Sequence, residues 1–202
     1  MKLYFAPGAC SLSPHIVARE AGIDLQLEKV DTKSHTFGSG GDFYSVNPKG
    51  YVPALEIKPG EVLTEGPAIV QYLGDQKPGS GIVPAAGTIE RYRLQEMLGY
   101  INSEIHKSYS PLFNPNTKPE AAEERKQYLT KRYKYLDEKL AGKEYLVGNK
   151  FSAADAYLFT VTNWAQHVKL DLSQFANIQA FQKRVASRPA VQQAMKEEGL
   201  IK

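Results

Sequence analysis

The spacing of apolar residues in the first thirty positions predicts a strand, a helix and a second strand. Residues 3–5 (Leu-Tyr-Phe) form a short apolar run that ends near Pro7, which is typical of a buried strand followed by a loop. A helical pattern opens at Pro14 and ends at Gly22, as expected from the preference for proline in the first turn and glycine after the last. Apolar and polar residues then alternate over residues 25–30, which indicates a second strand.

A second β-rich segment follows a glycine-rich stretch. Residues 31–50 predict a long loop with one helical turn, and long loops in compact domains are often functional. Apolar residues at 52–57 and 62–63 flank the turn sequence 58–61 (Lys-Pro-Gly-Glu), which predicts an antiparallel hairpin. Helix-spaced apolar residues at 69–73 then complete a β-β-α unit after the β-α-β unit.

Proline and glycine are frequent between residues 78 and 87, and this segment predicts a linker. After this linker the apolar residues have helical spacing, first over residues 94–105 and again at Tyr128 and Tyr135. The predicted organisation is an α/β domain over residues 1–77, a linker over 78–87 and an all-α domain over 88–202.

Composition and charge limit the classes of function. The 202 residues carry a net charge of +3 and are 42% hydrophobic and 23% charged, as expected for a globular protein. Acidic and basic residues are interleaved, as at residues 123–126 (Glu-Glu-Arg-Lys), so we expect no nucleic-acid binding. With no run near the roughly 18 apolar residues of a membrane span, and with one cysteine, we expect a cytoplasmic protein. The four histidines lack metal-ligand spacing, so we expect no metal.

The single cysteine, Cys10, lies between the first predicted strand and the first predicted helix. Unpaired N–H groups at a helix N-terminus favour negative charge, and a thiolate placed there has a lowered pKa and a raised reactivity. The position therefore makes Cys10 a candidate nucleophile. An inert buried thiol is the alternative, since free cysteines are common in protein cores.

Two proline-containing segments could present polar groups to a ligand. Pro53 lies at the entry to the third strand, and a cis Val52-Pro53 bond would let the Val52 backbone pair with an extended ligand. A trans bond in an ordinary turn is the alternative. Glu65 and Gly66 precede Pro67, a suitable first residue of a helix. Glu65 either accepts hydrogen bonds from a ligand ammonium or only complements the helix dipole.

Two groups of residues have helical spacing. Gly99, Ser103 and His106 are spaced i, i+4 and i+7 and would share one stripe of a helix. This stripe has a function only if it faces a pocket, since a lone helical histidine is usually solvated or locally hydrogen-bonded. Tyr157 and Trp164 are spaced for a second helix, where core packing and a hydrophobic substrate pocket are the two interpretations.

Four segments of the chain resemble the glutathione S-transferase family, and in particular its bacterial beta class. They are residues 7–15 (PGACSLSPH), 47–53 (NPKGYVP), 63–69 (LTEGPAI) and 103–107 (SEIHK). The resemblance covers essentially the whole chain. It implies an α/β thioredoxin-like N-terminal domain (βαβ–ββα) followed by an all-α helical C-terminal domain.

The resemblance further implies a site for glutathione as co-substrate. The Val52-Pro53 bond would be cis, and the Val52 backbone would pair with the cysteinyl part of glutathione. Glu65 and Gly66 would hold the γ-glutamyl end. Cys10 would face the glutathione sulfur.

The helical domain would complete this site. Ser103 and His106 would reach the pocket, with contributions across a homodimer interface, and His106 could donate or accept a proton. The second substrate would be a small hydrophobic electrophile. Its predicted pocket is lined by Tyr109, Phe113, Tyr157, Trp164 and His167.

Two residues depart from the pattern of the family. His35 stands where lysine often meets the glycine carboxylate of glutathione, and imidazole is mostly neutral near pH 7. Gly99 stands where asparagine often supplies a hydrogen bond, worth about 0.5–1.5 kcal/mol. Both departures predict weakened glutathione binding.

We therefore expect an enzyme that conjugates glutathione to hydrophobic electrophiles, with thiol transfer or peroxidase activity at Cys10 as a further activity. A non-catalytic glutathione or ligand carrier is the alternative. A glutaredoxin-like reductase usually has a second cysteine three residues after the first, and here that residue is Ser13. A one-cysteine mechanism with glutathione stays open.

Overall fold

The structure, a computed structural model, describes residues 1–38 and 40–202. Its first half consists of a six-stranded sheet and two helices in the predicted thioredoxin-like order, βαβ–ββα, with two additional short strands. The strands are β1 (Lys2–Phe5), β2 (Gln26–Asp31), β3 (Thr36–Phe37), β4 (Gly41–Asp42), β5 (Ala54–Lys58) and β6 (Glu61–Thr64), and the helices are α1 (Leu12–Glu20) and α2 (Gly66–Gln76).

The strand order in the sheet is β4-β3-β2-β1-β5-β6. Among the described strands, only β1 and β2 pair in parallel, and the crossover between them contains α1. Leu3 pairs with Leu27 on one side and with Leu55 on the other, and the side chains of Leu3 and Leu55 are fully buried. The apolar run at the start of the chain therefore forms the centre of the sheet.

The prediction of a long loop over residues 31–50 is partly wrong. The short strands β3 and β4 pair antiparallel within it and extend the sheet beyond β2. A two-residue strand carries too little periodicity to be recognised in the sequence. The predicted helical turn is present as a 3₁₀ turn over Phe43–Ser45, and the Phe43 side chain is fully buried.

The second half of the chain is helical. Its helices are α3 (Ile89–Tyr100), α4 (Lys107–Phe113), α5 (Pro119–Leu140), α6 (Ala153–Thr162), α7 (Ala176–Ala186) and α8 (Pro189–Glu197). A π-helical segment, Ile101–His106, joins α3 to α4. Across the described residues no helix is long and apolar enough to cross a membrane.

The sheet half and the helical half share one continuous apolar core. Helix α1 packs against α2 in the first half and against α6 and α8 in the second. The segment between α2 and α3 also belongs to this core, because Ile82 and Val83 are buried and a Cβ at Gly74 would lie 2.2 Å from Val83. The domain boundaries at residues 77 and 88 stay predictions.

Of two expectations for the helical half, one is confirmed and one is corrected. Tyr128 and Tyr135 lie in α5, as their helical spacing predicted, although the buried residues of this helix are Leu129, Tyr133, Leu136 and Leu140 and Tyr135 is 45% exposed. Helix α6 ends at Thr162, so Trp164 lies in a 3₁₀ turn, Asn163–Gln166, rather than in the helix. A change from 3.6 to 3.0 residues per turn is not visible in the spacing of apolar residues.

Candidate active site

One cavity of about 620 Å³ lies between the two halves of the chain. Its wall in the first half contains Cys10, Thr32, His35, Asn47, Lys49, Gly50, Tyr51, Val52, Pro53, Thr64, Glu65 and Gly66. Its wall in the helical half contains Asn102, His106, Lys107, Ser110 and Tyr157. The cavity therefore contains most of the residues predicted to bind glutathione, which lie far apart in the sequence.

Cys10 lies in the turn that precedes α1, as predicted, but its protonation differs from the prediction. Its thiol donates to the carbonyl oxygen of Val52, 3.2 Å away. Burial raises the pKa of Cys10 to about 12, and this effect outweighs the backbone N–H groups of Cys10 and Ser11, which lower it. The expectation of a low-pKa thiolate is therefore wrong for the unliganded protein, in which Cys10 is a neutral S–H donor.

The Val52-Pro53 peptide bond is cis, as the resemblance implied. The loop before it is held by Asn47, whose buried side-chain amide donates to the Tyr51 carbonyl oxygen across 2.7 Å. Val52 directs its carbonyl group toward Cys10 at the head of the cavity. Asn47 was not singled out in the sequence, although it opens the segment 47–53 on which the resemblance rests.

Glu65 adopts a backbone conformation that is uncommon for a residue with a side chain, with φ 70° and ψ 115°. It immediately precedes α2, and Lys49 donates to its carboxylate across 2.5 Å and to the Thr64 hydroxyl across 2.8 Å. The hydrogen bond from Lys49 holds the pKa of Glu65 below its usual range. Strained residues cluster at binding sites, and here the strain directs an ionised carboxylate along the cavity wall.

His35 also has a positive φ, 54°, and lines the cavity. Its ring packs on the Tyr44 ring at a centroid distance of 4.5 Å. Its Nδ1 atom is buried and has no hydrogen-bond partner among the described residues. Gly50 permits this packing, because a Cβ there would lie 2.8 Å from the Tyr44 ring and 3.1 Å from His35.

The helical wall is organised around His106. Its Nδ1 atom lies 2.5 Å from the Tyr157 hydroxyl oxygen, and the same hydroxyl lies 2.9 Å from Asn102 Oδ1. The His106 ring is 5.0 Å from the Trp164 ring in a T-shaped arrangement. Burial and, secondarily, the positive charge of Lys107 lower the pKa of His106 to about 4. His106 is therefore neutral near pH 7.

Three other predicted residues of the helical domain, Gly99, Ser103 and His167, lie outside the wall of this cavity. Gly99 and Ser103 are exposed, and the Ser103 hydroxyl donates to the Gly99 carbonyl oxygen across 3.1 Å. The π-helical turn replaces the regular helix assumed for the stripe, and only His106 of the three lines the cavity. His167 is exposed at the end of the 3₁₀ turn.

The predicted aromatic pocket divides into three environments. Tyr157 lines the cavity, but Tyr109 is fully buried, and its hydroxyl hydrogen-bonds to that of Tyr133 at 2.9 Å. Ser110, one residue further along α4, takes its place in the wall. Phe113 is half exposed and lies 5.8 Å from Trp164, ring centre to ring centre. Phe113 and Trp164 thus form an aromatic surface beside His106.

Trp164 also connects this surface to the cysteine loop. Its indole N–H donates to the Gly8 carbonyl oxygen across 2.9 Å. The backbone N–H of Gly8 donates to the buried carboxylate of Glu198 across 2.9 Å. The turn that carries Cys10 is therefore held by two residues from the helical half.

Sequence reasoning missed several polar residues of the cavity. Lys49 and Lys107 lie inside the segments that resemble the family, so their place in the sequence could have predicted that they line the site. Asn102 and Thr32 carried no local signal, because their role depends on partners distant in sequence. Among the described residues, no group of three or more His, Cys, Asp or Glu side chains could hold a metal ion.

Comparison with known proteins matches both halves of the chain. The family described as "Glutathione S-transferase, N-terminal domain" matches residues 8–76, and "Glutathione S-transferase, C-terminal domain" matches residues 100–189. The curated protein "Glutathione S-transferase GstA" of Escherichia coli O157:H7 is 46% identical over 99% of this chain and 100% of its own length.

Solved structures agree with this assignment. The sphingomonad glutathione S-transferase complexed with glutathione is 45% identical over the whole of both chains, with a TM-score of 0.95. The bacterial beta class enzyme of Sphingomonas chungbukensis is also 45% identical over both whole chains, with a TM-score of 0.96. This chain therefore belongs to the glutathione S-transferase family and to its bacterial beta class.

Proposed function

We propose that this protein conjugates the thiol of glutathione to small hydrophobic electrophiles in the cavity beside Cys10. The observation that carries the proposal is the cis Val52-Pro53 bond, with the Val52 carbonyl 3.2 Å from the Cys10 sulfur. A backbone edge that can pair with a peptide-like ligand thus lies next to the group that would meet its sulfur. Residues 1–77 would form the glutathione-binding domain, and residues 88–202 the helical domain.

Glutathione would lie along the wall from Glu65 to His35. Its γ-glutamyl ammonium would meet the ionised Glu65 carboxylate, and its γ-glutamyl carboxylate would meet Gly66 at the start of α2, where backbone N–H groups favour anions. Its cysteinyl backbone would pair with Val52. Its glycine carboxylate would approach the His35 ring, which lines the cavity.

The chemical step requires a glutathione thiolate. Because Cys10 is neutral, it does not repel this negative charge. Two adjacent thiolates would repel each other, but the raised pKa of Cys10 keeps its proton on the sulfur. The Cys10 S–H can then donate a weak hydrogen bond to the glutathione sulfur. The positive charge of Lys107 further favours a negative charge in this part of the cavity.

The electrophile would bind against the aromatic surface of Trp164 and Phe113. This surface adjoins His106, which lines the cavity. An aromatic electrophile would gain stacking contacts there and place its reactive carbon near the glutathione sulfur. The surface selects for shape and apolar character rather than for one substrate.

We also infer a homodimer and a cytoplasmic location. Ile89 and Tyr92 on α3 are 62% and 58% exposed, which supports burial of this face against a second copy. Gly99, near the end of α3, and Ser103, in the π-helical segment that follows, are exposed in the single chain. In a dimer they would lie at the interface that the resemblance implies.

The proposal is tested by titrating the protein with reduced glutathione while following the fluorescence of Trp164, then adding 1-chloro-2,4-dinitrobenzene. Saturable binding with conjugate formation is expected. Glu65→Gln should weaken binding about 10-fold through loss of a charge-assisted hydrogen bond, whereas Glu61→Gln, on the neighbouring strand outside the cavity, should not. Binding without conjugation would favour the carrier alternative, and no binding at millimolar glutathione would refute the proposal.

A further inference from the structure

Three polar side chains of the cavity form a chain that ends on His106. The Tyr157 hydroxyl lies between Asn102 Oδ1, at 2.9 Å, and His106 Nδ1, at 2.5 Å. The Tyr157 side chain is only 1% exposed, and its ring meets the imidazole edge-on at 5.7 Å. Tyr157 was predicted as an apolar lining residue, but its hydroxyl has two specific polar partners.

The π-helical segment brings two of these side chains together. Ile101 and Ile105 are fully buried and hold the segment against the core. Asn102 and His106, each one residue further along, both line the cavity. Single π-helical turns inside helices are rare and often lie at functional sites. Here the turn presents both side chains to one hydroxyl from α6.

The hydrogens available to Asn102, Tyr157 and His106 fix the donor and the acceptor of each hydrogen bond between them. Burial raises the pKa of the Tyr157 hydroxyl, so Tyr157 keeps its single hydrogen. Asn102 Oδ1 can only accept, and it therefore receives the Tyr157 hydrogen. The Tyr157 oxygen must then accept from His106, which places the imidazole hydrogen on Nδ1.

A neutral imidazole carries one N–H, so Nε2 of His106 is left as an acceptor. Among the described residues, no side chain or backbone group hydrogen-bonds to His106 Nε2. This nitrogen is also not fully buried. Because His106 lines the cavity, Nε2 is accessible from it. The remaining ionisable groups around His106 are Lys107 on its own helix, Glu65 at the start of α2 and Cys10 before α1.

We propose that Asn102 and Tyr157 are positioning residues that hold His106 as the Nδ1–H tautomer, with Nε2 turned to the cavity as the acceptor of the glutathione thiol proton. This inference rests on the proposed function. The thiol proton moves to Nε2, and the resulting thiolate attacks the electrophilic carbon of the chloronitrobenzene. Chloride leaves with the bonding pair, and the imidazolium returns its proton to solvent. The tautomer thus makes His106 a base rather than a proton donor.

The tautomer can be measured without turnover. We would label the protein with ¹⁵N-histidine and record two-bond proton–nitrogen correlations at pH 7, with the His106 signals identified by their loss in His106→Gln. A hydrogen on Nδ1 is the expected result. A hydrogen on Nε2, as would follow if the Asn102 amide nitrogen faced Tyr157, would overturn the proposal, and so would an imidazolium.

Two substitutions at one position separate the positioning role from a packing role. In Asn102→Asp the carboxylate still accepts from Tyr157, and the Nδ1–H form should persist. In Asn102→Leu the Tyr157 hydrogen can go only to His106 Nδ1, so the imidazole hydrogen should move to Nε2. The Leu variant should then conjugate about 100-fold more slowly, at the lower end of the range for loss of a general base, with glutathione affinity changed less than twofold.

Equal tautomers in the Asp and Leu variants would refute the role of Asn102. Tyr157→Phe provides an independent check, because it keeps the ring and removes only the hydroxyl. It should lose the preference for Nδ1–H and slow conjugation to a similar extent. If the wild-type protein shows the Nδ1–H form but conjugates no electrophile, the proposed function fails while the assignment of the tautomer stands.

Discussion

The Cys10 thiol donates to the Val52 carbonyl oxygen across 3.2 Å, so one hydrogen bond joins the predicted nucleophile to the backbone edge predicted to bind the ligand. In the unliganded protein this bond gives the partly buried thiol a partner. Glutathione that pairs with the Val52 backbone would compete for the same region and release the Cys10 S–H toward its own sulfur.

We expect Cys10 to react slowly with iodoacetamide. A pKa of about 12, compared with an ordinary value of 9.0, lowers the thiolate fraction at pH 8 by about 100- to 1,000-fold. The alkylation rate of the folded protein should therefore rise about tenfold per pH unit beyond pH 9, where an ordinary thiol levels off. Since Cys10 is the only cysteine, mass spectrometry reports it directly. The urea-unfolded chain is the control, and equal rates in the two states would contradict the raised pKa.

His35→Lys should strengthen glutathione binding. An ammonium at this position could pair with the glycine carboxylate, and an exposed ion pair contributes up to about 1 kcal/mol, or about fivefold in affinity. The gain should shrink as salt is added. Calorimetric titration at low and high salt measures both effects. His167→Lys adds the same charge at an exposed position outside the cavity, and an equal gain there would show that the effect is not local.

Glu198→Ala should destabilise the fold more than Glu197→Ala. Both carboxylates contact His15, but the Glu198 side chain is fully buried and also accepts from the Gly8 N–H, whereas the Glu197 side chain is 27% exposed. Removing Glu198 leaves the Gly8 N–H and the buried His15 Nδ1 without their partner, at a cost of about 3–5 kcal/mol. Removing Glu197 leaves only one buried atom, His15 Nε2, without its partner, at a cost of about 1–3 kcal/mol. Urea unfolding measures the difference, and equal losses would contradict this assignment.

Asp155→Asn should reduce stability, and more so in acid. The Asp155 carboxylate accepts from the Leu146 N–H at 2.8 Å and from both the Ser152 N–H and the Ser152 hydroxyl, and these bonds cap the start of α6. An amide in its place directs an N–H toward a donor, at a cost of about 3 kcal/mol.

The pH dependence follows from burial, which raises the pKa of Asp155 to about 6 and outweighs the hydrogen bonds that lower it. Between about pH 4 and pH 6 the folded state then holds more protons than the unfolded state. The wild type therefore gains stability from this group as pH falls through that window, and the Asn variant does not. Unfolding by urea at pH 5 and pH 8 should show the larger difference at pH 5. Asp171→Asn, at an exposed turn, should change little at either pH.

Much of this protein was determined by local sequence. The apolar run at residues 3–5 became the central strand, because a short buried strand needs only apolar side chains and a stop signal. The capping sequence from Ser152 to Asp155 also acts within one helical turn. The four segments quoted for the family contained most of the glutathione wall, including the cis bond at Pro53.

Only the tertiary structure decided the chemical state of the site. Cys10 looked activated from its place before a helix, but its pKa depends on burial and on a carbonyl 42 residues away. Tyr157 looked apolar, but its hydroxyl meets partners 55 and 51 residues distant, Asn102 and His106. Local patterns fix helical conformation because the backbone hydrogen bonds of a helix join residues only four positions apart. Protonation depends on desolvation and on nearby charges, and both are set by how distant segments of the chain pack together.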